Sequence, residues 1–122
     1  MNSTAIRSVL VLARGDLSRD DAALGVRVAL ALPLGGLAVT LLLVDSASAL
    51  GLLDPPDLGP WSAGLALELE ALVSNEEVPI LVEQESLAEL GLAERPLRPG
   101  VERVPRSQVP TICAAADSCL VL

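Results

Sequence analysis

The stretch VALALPLGGLAVTLLLV, residues 28–44, decides the fold. It carries no charge, so it first suggests a membrane span. Two features argue otherwise. It falls short of the roughly 20 apolar residues a bilayer core demands, and Pro33, Gly35 and Gly36 stand in its middle, where a helix stops and the chain turns. The segment therefore reads as the buried end of one helix followed by a buried strand, Val39–Val44.

Working outward, similar short apolar runs recur. VLVLA at 9–13 precedes the segment; PILV at 79–82, the half-polar VERV at 101–104 and CLVL at 119–122 follow it. Continuous runs, rather than strict alternation, fit strands covered on both faces. Helical patterns fill the gaps. Ser18-Arg19-Asp20-Asp21 has capping-box spacing, with Asp where Glu is usual, and Ala22, Val26, Ala29 and Leu30 then share one face. Ser46–Leu52 suits a short helix, ended by the Pro-rich loop at 54–60. Ser62–Val73 is the better amphipathic segment, with Leu65, Leu69, Leu72 and Val73 inward and Glu68 and Glu70 in water. Glu85–Leu90, closed by Gly91, and Ser107–Ala115, with Pro110 tolerated in its first turn, complete the series. Strands alternating with helices predict an α/β fold: a single three-layer domain over residues 1–122, with a mostly parallel five-stranded sheet and helices on both faces.

Composition then excludes chemistry. The 122 residues contain no His and no Lys, every cation being Arg. This removes His-based triads, His-ligated metals, Schiff-base and pyridoxal chemistry, and the Walker-type lysine. Sixteen acids against eight arginines leave a net charge of −8, which repels a nucleic-acid backbone. Aromatic residues are 1% of the chain, with Trp61 alone, so no base-stacking platform exists. The N-terminal sequence has no basic region leading into a long apolar stretch, so no secretory signal is read there. Asn2-Ser3-Thr4 and Arg14-Gly15-Asp16 match a glycosylation and an adhesion motif by pattern only. Two cysteines make no disulfide framework, and the expected compartment is a reducing cytoplasm. No cofactor is expected.

Ligands of parallel sheets sit at the carboxyl ends of the strands. Here those ends lead into Arg14, Asp45, Glu83 and Arg106, which form a candidate cleft rim. The dinucleotide fingerprint is absent, since Arg14–Ser18 offers one glycine where three are required, and Asp16, Asp20 and Asp21 would repel a phosphate. Glu83 and Glu85 are paired carboxylates without evident metal partners, and read as surface acids. Cys113 and Cys119 have a C-x5-C spacing that matches no zinc pattern. Flanked by Ile112 and Ala114, and by Leu120 and Val121, they read as small buried hydrophobes, with low-ranking alternatives as reactive thiols or a regulatory disulfide.

The whole pattern resembles the DsrE/DsrF-like sulfur-relay family, with its TusB-, TusC- and TusD-like subunits. The carrying features are SVLVLARGD at 8–16, the ALGVRVALAL helix at 23–32, LAVTLLLVD at 37–45, VPILVEQESLAELGL at 78–92 and the closing AADSCLVL at 115–122. The resemblance implies a small α/β domain that assembles into trimers or hexamers and passes sulfane sulfur as a cysteine persulfide. In sulfur-carrying members the acceptor cysteine follows a strand, ahead of a short helix ending in glycine. Matching that glycine to Gly91 puts Glu83 at the acceptor position. A carboxylate has no sulfur to load, so this chain is similar to the cysteine-less subunits whose contribution is assembly.

Three readings follow. The first is a non-catalytic assembly subunit, homo-oligomeric or partnered with related subunits, with neither nucleic acid nor membrane as partner; Trp61 is a candidate interface anchor. The second is a sulfur carrier using Cys113 or Cys119 in an unconventional place. The third is a small-ligand or regulatory module using the rim at Arg14, Asp45, Glu83 and Arg106.

Overall fold

Five short strands lie side by side in the computed structural model, which describes residues 6–14, 21–55, 62–74 and 77–122. They are β1 (Ser8–Ala13), β2 (Ala38–Leu43), β3 (Ile80–Glu83), β4 (Val101–Val104) and β5 (Ser118–Val121). The sheet order is β4-β3-β2-β1-β5, and all four pairings are parallel. The predicted α/β architecture is therefore what the chain adopts. Helices α1 (Asp21–Ala31), α2 (Ser62–Ser74), α3 (Gln84–Glu89) and α4 (Val109–Ala115) connect the strands. Three 3-10 segments, Leu32–Gly35, Asp45–Gly51 and Arg106–Gln108, supplement them.

The stretch at 28–44 resolves as its sequence requires. The helix α1 gives way to the Leu32–Gly35 turn, which Gly36 closes at φ 83°, a left-handed value that glycine adopts without strain. The strand β2 then runs through the middle of the sheet. Among the described residues no helix is long and apolar enough to cross a membrane. The capping sequence before Asp21, the Gly15-Asp16 turn and Trp61 lie outside the described residues, as does the side chain of Leu65.

Strand order fixes which face each helix covers. The chain steps from β1 to β4 in one direction, then returns past β1 to lay down β5 on the other side. Right-handed crossovers put the helices of those two directions on opposite faces. Residue alternation shows this directly. Val11, Leu41, Leu43 and Val82 point to the face packed by Val26 and Ala29 of α1, Leu69 and Leu72 of α2, and Leu87 of α3. Leu10, Leu42 and Val44 point to the other, packed by Val109, Ile112 and Cys113 of α4. Each buried Leu or Val contributes about 1.5–3 kcal/mol. The first face holds far more of them. On the second, a largely apolar groove of about 300 Å³, lined by Leu10, Thr40, Leu81, Ile112 and Ala116, stays open beside α4.

Gly51, at the end of the Asp45–Gly51 segment, is fixed by close approach. A Cβ there would collide with Cγ2 of Val82, so this segment can lie against β3 only with glycine at that point. The contact seats the segment beside the carboxyl ends of β2 and β3.

Candidate functional site: the carboxyl ends of β2, β3 and β4

Parallel strands deliver the ends of β2, β3 and β4 to one corner of the sheet. Glu83 is the last residue of β3 and is 5% exposed. Its Oε1 accepts the Ser86 hydroxyl at 2.5 Å and Nε of Arg106 at 3.0 Å, while Nη2 of Arg106 lies 2.9 Å from the same oxygen. Ser86 is three residues on, in the first turn of α3, so the short helix itself brings its hydroxyl back to the strand end. The Ser86 oxygen accepts in turn from the amide of Asp45 at 2.8 Å. Asp45 has φ 51°, a conformation Asp tolerates better than most residues, and its carbonyl accepts the Ser48 hydroxyl at 2.7 Å. A continuous hydrogen-bonded line thus runs from the end of β2 to the loop after β4.

Arg106 closes the corner from outside. Its guanidinium forks onto Glu89, with Nη2 donating at 2.7 Å and Nη1 at 3.3 Å. Its backbone amide donates to both carboxylate oxygens of Glu85, at 3.0 and 3.1 Å. Glu85 and Glu89 stand one turn apart on α3 and present an acidic edge to this one cation. The hydrogen bonds it donates to Glu89 and Glu83 raise the Arg106 pKa above the ordinary guanidinium value, and the contact with Arg106 lowers that of Glu89.

This geometry revises two expectations. Glu83 is not a surface acid: the strand end is covered by α3 and by Arg106, and only Glu85 of the pair keeps partial exposure. Of the four rim residues, Glu83 and Arg106 meet directly, and Asp45 joins through its backbone. Arg14 stands at the end of β1, two strands from β3, with its amide on the carbonyl of Leu122 at 3.2 Å. Among the described residues, no hydrogen bond or ion pair links its side chain to the other three. Ser86 and Glu89 were not singled out from the sequence, although Glu83-x-x-Ser86 and Glu85-x3-Glu89 are the spacings by which a short helix folds over its own strand end.

Chemically, the corner is a lock. The Ser86 hydroxyl is 1% exposed, with its proton committed to Glu83 and its oxygen to the Asp45 amide, so it cannot meet an electrophile from solvent. Glu83 is occupied by Arg106 and offers no free lone pair on Oε1 to an incoming group. What the residues supply here is cohesion between three strand ends.

The cysteines also depart from expectation. Cys113, on α4, is half-buried, whereas Cys119 is exposed. Cys119 stands on the edge strand β5, and Cys113 on α4, which among the described residues is the one helix contributing to the buried cluster on that face. β5 lies three strand spacings, about 14 Å, from β3, so the Cys119 thiol does not open into the Glu83 corner.

Such a parallel α/β sheet with its site at the strand ends defines a widespread class. No family model and no curated protein matches the chain. Among solved structures it is similar in fold to the ychN protein from E. coli, with a TM-score of 0.78 over 96% of this chain and 100% of that one, at 22% sequence identity.

Proposed function

We propose that this chain is a non-catalytic, structural subunit of a DsrE/DsrF-like sulfur-relay or related oligomeric assembly. The observation that carries the reading is Glu83, which occupies the position the family resemblance assigns to the sulfur-accepting cysteine. There the residue is 5% exposed and its carboxylate is held by Ser86 and Arg106. A carboxylate so placed cannot form a persulfide, and a negative charge opposes the approach of a thiolate. The fold likeness to the ychN protein over nearly the whole chain supports the architecture this reading needs.

The reading places the protein in the cytoplasm, as a trimer, hexamer or hetero-oligomer with related subunits. The edge strand β5, with Leu120 38% exposed on one face and Val121 54% exposed on the other, is apolar surface that subunit contacts would bury. Size-exclusion chromatography with light scattering tests it. A stable oligomer, alone or with a cysteine-bearing relative, is expected. A strict monomer at micromolar concentration that ignores such relatives overturns the reading.

A further inference from the structure

The edge strand β5 and the helix α4 that leads into it carry two sulfur atoms that the proposed function does not use. Cys119 is the second residue of β5, paired in register with Leu10, and its side chain is open to solvent. Cys113 sits one helical turn and a short bend earlier, in the last turns of α4, half-buried against the sheet. The Cys119 thiol donates to the Cys113 carbonyl at 3.4 Å, which brings the two residues into contact. Both are reduced. Asp117 in the bend between them is pinned, its Oδ2 accepting the amides of Arg7 and Ser8 at 2.8 and 3.0 Å, so α4 and β5 meet at a fixed angle.

We propose that Cys113 and Cys119 form an exchange-active dithiol that accepts S–S-bonded sulfur electrophiles, disulfides or persulfides, and resolves them into a Cys113–Cys119 disulfide. Cys119 is the attacking sulfur. As the thiolate, it displaces one thiolate from a disulfide RSSR and forms a mixed disulfide Cys119–S–S–R. Cys113, once deprotonated, then attacks the Cys119 sulfur and expels the second RS⁻. The two cysteine thiols are oxidised by two electrons, the incoming S–S bond is reduced to two thiols, and the two protons pass to the leaving thiolates. From a persulfide RSSH, Cys119 takes the outer sulfur and releases RS⁻, and closure by Cys113 releases HS⁻. The order follows from access. Burial, with a smaller contribution from the neighbouring Cys119, raises the Cys113 thiol pKa, which suits a resolving partner that waits for an adduct beside it. The same chemistry stands whether or not the chain belongs to a sulfur relay, because it needs nothing at Glu83.

Intact-mass spectrometry of the full chain tests this with oxidised glutathione and, separately, with glutathione persulfide. Wild-type protein should become about 2 Da lighter as a monomer, reversibly with dithiothreitol. Cys113→Ser should instead stop at the mixed disulfide, about 305 Da heavier, or at the persulfide, about 32 Da heavier. Cys119→Ser should react at least about tenfold more slowly. Closure with only one donor identifies the source of the sulfur. No reaction in wild type, adducts that persist without the 2 Da loss, a disulfide-linked dimer, or Cys119→Ser reacting as fast as Cys113→Ser would each overturn the proposal.

Discussion

The two faces of the sheet are built from the same residue types but to different depths. One face is packed by α1, α2, α3 and the Asp45–Gly51 segment, and Leu41, Leu43 and Val82 are fully buried in it. Among the described residues the other is packed by α4 alone, and the edge strand β5 leaves Cys119, Leu120 and Val121 open. The polar groups follow the same division. At the well-covered corner a carboxylate is enclosed and neutralised by a single arginine; at the sparsely covered edge two thiols stay within reach of solvent. Coverage, more than residue identity, decides which group is structural and which is free to react.

That contrast can be broken most severely at the packed face. Leu43→Ala should lower stability by about 2–5 kcal/mol, because it empties a fully enclosed site. Leu81→Ala, half-buried on the other face, should lose only about 1 kcal/mol. Urea denaturation of the pair measures the difference, and equal losses would refute the two-face description. Next comes Glu83→Ala. It removes the acceptor of the Ser86 hydroxyl and of Arg106, and should cost about 2 kcal/mol by the same measurement.

Smaller still is Cys119→Ser, expected within about 0.5 kcal/mol of wild type because the side chain is exposed. The smallest effect belongs to Asp117. Backbone bonds from Arg7 and Ser8 lower its pKa, so its contribution is complete above about pH 4 and is lost as the pH falls through the depressed folded-state value. Asp117→Asn should therefore flatten the acid limb of the stability profile without altering its slope near neutrality.

The parallel sheet was legible in the sequence because central strands buried on both sides are uniformly apolar. VLVLA and VTLLLV leave few other readings once Pro33 and Gly36 break the span between them. Glu83 and Arg106 were each visible as strand-end residues, but their union was not. It depends on β4 lying next to β3, and on α3 being short enough for Ser86 and Glu89 to fold back over the strand end. Cys119 misled for a related reason. CLVL has the same apolar character as the central runs, yet β5 is an edge strand, and strand order is written in no local pattern.

A double-mutant cycle on Glu83 and Arg106 tests the lock most directly. Glu83→Gln, Arg106→Gln and the combined variant would each be followed by denaturant unfolding. If the carboxylate is enclosed as a partner for this one cation, the second replacement should cost much less after the first than it does alone. Strictly additive losses would mean that the two groups act independently, and that the carboxyl ends of β3 and β4 are not held shut by their pairing.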